Sequence, residues 1–409
     1  MARRIAVVGA GYAGMAAAVT LVQRGAHAVV FESGPVPGGR ARRVVTQGQT
    51  LDNGQHILIG AYATLFGLMR AVGVPANAVL RMPLELRYAD GVALRRLFLP
   101  APFGLLGGLL LARRLPWGEK LGAVRFMLAL RRLGFRLAED CSVSALLARF
   151  HQEGRIGRYV WQPICISALN TPPALASANV FLAALRDTLA GDAEASDLIL
   201  PRVDLSRLFP EPAADWLRAR GAEVRYGATV RDVGALRSEF GAVILAVGPH
   251  QLRPLLPDHA PEFEYQPITT CYLQYDAKTR LPLPMLGLAG GLVQWVFDRG
   301  RLTGEKGRLA AVISAQGDHQ QMTQEELART CHRELAAALK DLPEPQWTRV
   351  IAEKRATIAV PPGLRRPAIE TPLSGVFLAG DYTDPEYPPT LEAAARSGVR
   401  AAARALDFA

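Results

Sequence analysis

A glycine-rich turn near the start of the chain constrains the fold more than any other feature of the sequence. The turn, Gly9-Ala-Gly11-Tyr-Ala-Gly14, directly follows a short β-branched run at residues 5–8 and leads into residues 15–24, whose composition is typical of a helix. A second apolar run at residues 28–31 ends at Glu32. This order of strand, glycine turn, helix, strand and acid is the βαβ unit that binds dinucleotides. The chain is therefore predicted to be an α/β protein with a Rossmann-like nucleotide-binding domain.

The residues of the turn have separate physical roles. Gly9 permits the tight turn, Gly11 lets the backbone approach a pyrophosphate, and Gly14 allows the helix to pack closely on the strand. Tyr12 and Ala13 stand in the first helical turn, where backbone N–H groups and the positive end of the helix dipole stabilise an anion. All five residues are therefore predicted to bind the nucleotide.

The residues that follow the second strand extend this site. Glu32, 18 residues after Gly14, is expected to accept hydrogen bonds from the adenosine ribose hydroxyls. The string Pro37-Gly38-Gly39-Arg40-Ala41 comes soon afterwards. Gly39 lets the chain fold over the nucleotide, and Arg40 is a natural partner for its phosphates.

Three further apolar runs extend the nucleotide-binding domain. Residues 222–230 and 242–247 lie in the middle of the chain, and residues 375–379 lie near its end, before a helix expected at 390–405. The domain is therefore predicted to be discontinuous and built from residues 1–90, 201–261 and 351–409. The helix-rich stretch 91–200 and the strand-rich stretch 262–350 are predicted to form an inserted α+β substrate-binding domain.

Composition excludes several classes of protein. Half of the residues are hydrophobic and 21% are charged, so the chain is neither disordered nor collagen-like. The four cysteines include no Cys-x-x-Cys pair and are interpreted as thiols in a reducing compartment, so neither a disulfide framework nor a metal site is predicted. The net charge of +10 leaves nucleic acid, an acidic membrane surface or an anionic ligand as open partners.

One segment, residues 95–136, combines basic charge with apolar bulk. It holds nine Arg or Lys residues and a single acid, Glu119. Such a segment is typical of a monotopic contact with a membrane, where cations meet anionic lipid headgroups. The alternative is a helical hairpin with a solvated basic face. Nucleic-acid binding is not expected, because the charges lie among aliphatic side chains rather than stacking aromatics.

Taken together, these motifs resemble those of the superfamily of flavin-dependent amine oxidases and carotenoid desaturases. The resemblance implies a nucleotide-binding domain of the glutathione-reductase type that binds FAD. It also implies that Asp381, after Gly380, bonds the ribityl chain or a phosphate, and that the backbone of Val230 meets the adenine. Thr390 is then the N-cap of the last helix, and the N–H of Leu391 faces the flavin ring, where the helix dipole stabilises charge on the reduced flavin.

Longer strings resemble one branch of that superfamily, the bacterial hydroxysqualene dehydroxylase family. The most specific strings are residues 51–56 (Leu-Asp-Asn-Gly-Gln-His) and residues 169–173 (Leu-Asn-Thr-Pro-Pro). Others lie at residues 60–62, 161–165, 294–298, 353–357 and 380–383. The resemblance runs almost from end to end of the chain.

This second resemblance implies a reductive reaction in hopanoid synthesis. An allylic alcohol, hydroxysqualene, would lose its hydroxyl group as water and accept hydride from reduced flavin, giving squalene. No second glycine fingerprint has the strand-to-helix context, so the electrons are expected from an external donor such as NAD(P)H or a flavin reductase. The expected location is cytoplasmic and peripheral, at the inner face of the bacterial cell membrane.

The resemblance also indicates which residues lie near the chemistry. Gly54, Gln55 and His56 are expected beside the flavin. His56 and Asp52 are the candidate general acid or orienting group. The alternative for His56 is a hydrogen bond to the backbone near the cofactor.

A second pair of candidates comes from the other specific string. Asn170 and Thr171 are expected to line the cavity and to bind the leaving hydroxyl group. The alternative is structural, because a turn that precedes two prolines also favours such residues.

Other functions remain open at this point. A carotenoid or phytoene-type desaturase shares the fold and the cofactor but runs in the oxidative direction, and the fold motifs do not distinguish hydride donation from hydride removal. A non-catalytic isoprenoid-binding protein that retains FAD is the alternative from another class. An amine oxidase is disfavoured, because Thr390 occupies the position where that branch commonly has a tyrosine of its aromatic cage.

Overall fold

The computed structural model describes residues 4–189 and 192–409. Residues 1–3 and 190–191, which belong to the predicted segments 1–90 and 91–200, lie outside the described residues.

Strands occur in two parts of the described chain, between residues 4 and 95 and between residues 198 and 378. Numbered in chain order they are β1 (Arg4–Val8), β2 (His27–Glu32), β3 (Arg43–Thr46), β4 (Gln49–Asp52), β5 (Leu58–Ile59), β6 (Val79–Met82), β7 (Glu85–Arg87), β8 (Ala93–Arg95), β9 (Leu198–Pro201), β10 (Glu223–Tyr226), β11 (Ala242–Leu245), β12 (Tyr265–Gln274), β13 (Met285–Gly287), β14 (Trp295–Asp298), β15 (Arg308–Ser314), β16 (Trp347–Ile358) and β17 (Val376–Leu378).

The helices are concentrated between residues 100 and 240 and at the end of the chain. They are α1 (Tyr12–Gln23), α2 (Ala63–Ala71), α3 (Phe103–Leu110), α4 (Trp117–Arg132), α5 (Val143–Arg149), α6 (Gln162–Leu169), α7 (Ala178–Leu189), α8 (Leu205–Leu208), α9 (Pro210–Arg218), α10 (Val233–Glu239), α11 (Arg299–Thr303), α12 (Gln324–Ala338) and α13 (Leu391–Phe408).

The first sheet is parallel and joins distant parts of the chain. Its strand order is β10-β2-β1-β11-β17. Ile5 of β1 aligns with Ala28 of β2 on one side and with Ala242 of β11 on the other. The central strands are buried on both faces, which is why the sequence shows them as unbroken apolar runs. The predicted α/β fold, with a nucleotide-binding sheet assembled from the start, middle and end of the chain, is confirmed.

Helices α1 and α13 pack together beside this sheet at a very short distance. A side chain at Gly398 of α13 would place its Cβ 2.1 Å from the carbonyl oxygen of Ala13. Only glycine fits at this crossing. The close contact fixes the start of α13 relative to the glycine turn that precedes α1.

The second sheet is antiparallel, with the order β13-β14-β15-β12-β16. Side chains alternate between its two faces. Val296 and Ile313 lie on the face that packs with α12 around Cys331. Trp295 and Phe297, on either side of Val296 in β14, lie on the opposite face, toward the first sheet. One face of this sheet therefore belongs to a separate core, and the other is available to line a cavity.

A small three-stranded sheet connects the two predicted domains. Strand β9 pairs with β5 and with β6, which both lie in segment 1–90. The predicted boundary between residues 200 and 201 falls within β9. The remaining domain boundaries stay predictions.

Residues 95–136 include a helical hairpin formed by α3 and α4. Eight of the eleven large hydrophobic side chains that are exposed in the described chain belong to this segment: Phe98, Leu99, Phe103, Leu111, Trp117, Leu121, Leu128 and Leu133. Among residues 4–189 and 192–409, no helix is long and apolar enough to cross a membrane. The eight exposed side chains give the hairpin an apolar face at the protein surface.

Candidate active site

A cavity of about 1130 Å³ lies between the two large sheets. One end is lined by the glycine turn and the end of β2, and the other by the inner face of the second sheet. Its volume exceeds the roughly 300–1,000 Å³ of a pocket for a drug-sized ligand. The cavity therefore has room for a dinucleotide.

The glycine turn has the close backbone contacts that the sequence predicts. Gly9 has a φ of +103°, and a Cβ there would lie 2.7 Å from the carbonyl oxygen of Ala246. A Cβ at Gly14 would lie 1.9 Å from the carbonyl oxygen of Gly9. Gly11, the N-cap of α1, has no side chain that covers the helix N-terminus. Together with Tyr12 and Ala13 on the cavity wall, the turn fits a pyrophosphate.

Glu32 lies at the same end of the cavity and is held by backbone donors. Its Oε2 accepts a hydrogen bond from Ala10 N at 2.7 Å, and its Oε1 accepts one from Gly34 N at 2.7 Å. A carboxylate has about four acceptor positions. Ser33 Oγ also lies 3.5 Å from Oε1, so the fixed carboxylate retains capacity for at least one hydroxyl of a ribose.

Arg40 and Asp381 form an ion pair within the cavity wall. Arg40 Nη2 lies 2.6 Å from Asp381 Oδ1, and Arg40 Nη1 donates to the carbonyl oxygen of Ala356 at 2.9 Å. The loop glycines Gly39 and Gly380 line the cavity beside the pair. From the sequence, Arg40 and Asp381 are each expected to contact the cofactor. In the structure the two side chains also form an ion pair with each other.

The N-terminus of α13 reaches the cavity. Thr390 caps the helix, since its Oγ1 accepts a hydrogen bond from Ala393 N at 3.2 Å. Thr390 and Leu391 both line the cavity. The fully buried Glu392 accepts hydrogen bonds from Thr64 N at 3.1 Å and Leu65 N at 2.9 Å, and so caps α2. These contacts fix the helix start at which the flavin ring is expected.

Tyr62 lies beside this helix start and was not singled out in the sequence. It lines the cavity together with Thr390 and Leu391. Burial raises the pKa of Tyr62 to about 12, so the phenol keeps its proton at neutral pH. The only sequence signal was its membership of the string at residues 60–62.

Asp52, a candidate general acid or orienting group, is not among the residues that line the cavity. The side chain is buried, and its Oδ1 accepts a hydrogen bond from Leu205 N at 2.9 Å. Its Oδ2 accepts one from Arg299 Nη1 at 3.2 Å. Burial raises the pKa of Asp52 to about 6 in spite of Arg299. Asp52 ties β4 to the first turn of α8 and to the second sheet.

The neighbours Gly54, Gln55 and His56 do line the cavity. His56 Nδ1 lies 3.0 Å from the carbonyl oxygen of Gly54. Because a carbonyl only accepts, Nδ1 carries the hydrogen and Nε2 of the neutral ring is an acceptor. Burial lowers the pKa of His56, and the charge of Arg40 adds to this effect. The ring is therefore neutral at neutral pH.

Asn170 lines the cavity, but its amide is used within the protein. It ends α6 in a left-handed conformation with φ of +46°. Its Nδ2 donates to Thr357 Oγ1 at 3.1 Å, and its Oδ1 accepts from Ala315 N at 2.8 Å. The structure places Asn170 as a link between α6 and the second sheet.

Two further predicted site residues, Thr171 and Val230, are absent from the cavity wall. Thr171 is fully buried and lies behind the cavity wall, where its hydroxyl donates to the carbonyl oxygen of Leu169 at 3.0 Å and accepts from Val360 N at 3.2 Å. Val230 is half-buried against the hydrophobic core and is not among the residues that line the cavity.

The cavity thus combines a glycine-rich turn at a helix N-terminus, a carboxylate held by backbone donors and the capped start of a second helix, an arrangement that suits a dinucleotide cofactor. The chain matches the family described as "Flavin containing amine oxidoreductase" over residues 12–406 and belongs to it. FAD, predicted from the sequence, is its cofactor.

Comparison with known proteins narrows the family. The chain is 29% identical to a hydroxysqualene dehydroxylase of Sinorhizobium fredii, covering 100% of this chain and 99% of the relative. It is 30% identical to a hydroxysqualene dehydroxylase of Rhodopseudomonas palustris, covering 98% of each. Within the flavin-containing family, the chain belongs with the hydroxysqualene dehydroxylases.

Solved structures agree with this fold. An oxidoreductase of Methanosarcina mazei superimposes with a TM-score of 0.75 at 15% identity, covering 98% of this chain and 100% of the other. The architecture is therefore shared with proteins whose sequences have diverged widely.

Proposed function

We propose that the protein reduces hydroxysqualene, an allylic isoprenoid alcohol, to squalene. The observation that carries this proposal is the continuity of the cavity. The same cavity that fits FAD extends to the inner face of the second sheet, where Trp295, Phe297, Val312 and Ile268 form an apolar wall. Such a wall suits a hydrocarbon chain and excludes water from the reacting carbon.

The reaction needs one hydride and one proton. Bound FAD, once reduced, supplies the hydride. The chain supplies the rest: the fixed helix start at Thr390, the apolar wall and the titratable groups on the cavity surface. The proton leaves with the hydroxyl group as water, and the carbon that loses the hydroxyl accepts the hydride.

His56 remains the candidate for the proton transfer. Its Nε2 is an acceptor in the resting ring, so it must take a proton before it can give one to the substrate hydroxyl. The lowered pKa of His56 makes the imidazolium a stronger acid than that of an exposed histidine. Tyr62, which stays protonated, is placed to donate a hydrogen bond within the same cavity.

The electrons are proposed to come from an external donor, NAD(P)H or a flavin reductase. The second glycine-rich stretch, residues 287–291, begins at the last residue of β13 and leads toward the antiparallel strand β14. It therefore has no helix that could bind a second dinucleotide in the manner of α1.

The hairpin of α3 and α4 is proposed to contact anionic lipid, so that the protein is peripheral at the inner face of the cell membrane. Seven arginines of the segment 95–136 are exposed alongside its apolar side chains: Arg95, Arg113, Arg114, Arg125, Arg131, Arg132 and Arg136. Apolar side chains that insert among headgroups and cations that meet lipid phosphates are the two parts of such a contact. A substrate that dissolves in lipid would then be collected at the membrane surface.

An anaerobic experiment tests the proposed reaction. The purified protein is reduced, hydroxysqualene is added, and both flavin absorbance and products are followed. Reoxidation of the flavin with one squalene formed per flavin supports the proposal. A flavin that stays reduced, while the oxidised protein bleaches on addition of a polyene, identifies a desaturase instead. Tight squalene binding without any change of flavin redox state identifies a non-catalytic isoprenoid-binding protein.

A further inference from the structure

Arg299 is a buried cation at the junction between the two large sheets. It begins α11, directly after β14, and is 3% exposed. Its Nη1 donates to Asp52 Oδ2 at 3.2 Å and to Gln55 Oε1 at 3.1 Å. Its Nε donates to Glu305 Oε2 at 2.8 Å. One guanidinium therefore links α11 to two residues of the string that borders the FAD cavity.

The chemistry of arginine determines the orientation of the Gln55 amide. A guanidinium has donors and no acceptor, so the group that it contacts must be an oxygen. The amide oxygen of Gln55 therefore faces Arg299, and its Nε2 is the remaining polar group. Gln55 is 7% exposed and lines the cavity. Its amide can thus offer the cavity a hydrogen-bond donor but no acceptor in the same direction.

Arg299 is itself held from several sides. Asp52 is fixed by Leu205 N, and Tyr272 donates its hydroxyl hydrogen to the carbonyl oxygen of Asp52 at 3.0 Å. Glu305 pairs with Arg308 as well as with Arg299. Hydrogen bonds between charged partners are the strong ones, so the guanidinium has little freedom to turn.

We propose that Arg299 is a positioning residue for the cofactor site: it fixes the side-chain amide of Gln55 so that Nε2 donates a hydrogen bond to an acceptor atom of the bound flavin ring. The donor stabilises negative charge on the ring and so favours the reduced flavin. This inference depends on the FAD site and not on the proposed substrate. Its test therefore needs no substrate, and its failure is distinct from failure of the proposed reaction.

The test uses the FAD-loaded protein and a double-mutant cycle. Variants Q55A, R299Q and the double variant are compared for the visible absorption spectrum of the flavin, its midpoint potential, the dissociation constant of FAD and the melting temperature. Q55A and R299Q are expected to shift the spectrum and to lower the potential in the same direction. R299Q is expected to add no further shift in the Q55A background, because Arg299 acts through Gln55.

Gln55→Glu separates the donor from the contact with Arg299. The carboxylate keeps an oxygen for the guanidinium but replaces the donor with a negatively charged acceptor. The expected result is at least a tenfold weaker preference for reduced flavin, about 30 mV for a two-electron couple. An unchanged spectrum and potential in Q55E would overturn the proposal.

A matched control is a second buried arginine–carboxylate pair, Arg96 and Asp197, which are 2.8 Å apart and are not among the residues that line the FAD cavity. Arg96→Gln is expected to lower the melting temperature and to leave the flavin spectrum unchanged. If R299Q shifts the spectrum equally with and without Gln55, or changes only the melting temperature, Arg299 is a structural residue and the inference is wrong. Arg299→Lys, which keeps the charge, is expected to restore part of the potential.

Discussion

Charge reversal on the α3–α4 hairpin gives a direct test of membrane contact. The change is the triple variant R113E/R131E/R132E, at three exposed positions. An arginine near an anionic lipid surface contributes about 1 kcal/mol to binding. Loss of three such contributions weakens binding by at least ~3 kcal/mol, which is more than about 100-fold in the partition coefficient. The effect is expected to shrink at high salt, because the attraction is screened.

The apolar part of the contact responds differently. Phe103 and Trp117 are 64% and 65% exposed. Full burial of a large apolar side chain contributes about 1.5–3 kcal/mol, so insertion of these two contributes roughly 2–4 kcal/mol after allowance for the part already buried. The variant F103S/W117S is therefore expected to lose binding to anionic and to zwitterionic vesicles alike, with little dependence on salt.

Cosedimentation with vesicles of defined composition measures both effects. The matched control is R253E/R280E/R333E, which changes three exposed arginines outside the hairpin. Each triple variant replaces three positive charges with three negative ones and so lowers the formal net charge from +10 by six to +4. Equal losses in the two triple variants would show that net charge alone attracts the protein to lipid. Wild-type binding that ignores both salt and lipid charge would refute the electrostatic reasoning.

Three further predictions concern the cavity and its supports. His56→Ala is expected to retain FAD but to slow turnover of the reduced protein with hydroxysqualene. In the wild type, the single-turnover rate should rise as the pH falls through the lowered pKa of His56. If H56A shows the wild-type rate and pH dependence in stopped flow, His56 takes no part in the mechanism. Gly14→Ala, whose Cβ would lie 1.9 Å from Gly9 O, is expected to yield folded protein that has lost FAD, as measured by the flavin-to-protein absorbance ratio. Glu392→Ala leaves two backbone donors in the first turn of α2 without an acceptor, while Arg396 keeps Asp187 as a partner. It should lower the free energy of unfolding by about 1–3 kcal/mol for each uncapped donor, whereas no measurable loss in denaturant unfolding would contradict the assigned cap.

The nucleotide-binding part of the site could be read from the sequence because its signals are local. The glycine turn, the strands on both sides of it and Glu32 all lie within 32 residues of the start of the chain. Each has a physical requirement that only a few residue types meet. The same is true of Thr390, whose side chain caps a helix that begins at the next residue.

Residues whose role depends on distant partners could not be placed in this way. Asp52 and Gln55 lie three positions apart in one string, yet only Gln55 lines the cavity. Both side chains contact Arg299, which lies 247 positions from Asp52 and 244 positions from Gln55 along the chain. Thr171 was similarly expected in the cavity, but its hydroxyl is taken up by Leu169 and Val360. A single sequence carries no signal for these contacts, because they arise only when the second sheet packs against the first.

The buried ion pair of Arg299 and Asp52, where the two large sheets meet, indicates a role besides stability. Buried ion pairs seldom stabilise a protein more than well-packed apolar residues of the same volume, so stability alone does not explain Arg299 and Asp52. Apolar side chains would hold the two sheets together equally well, but they would leave the amide of Gln55 free to turn its oxygen or its nitrogen toward the cofactor. A guanidinium permits only one of these orientations. The buried charges therefore orient the amide of Gln55 so that the cavity wall presents a donor, and no acceptor, to the flavin ring. Such a donor stabilises the negative charge that the ring gains when it is reduced.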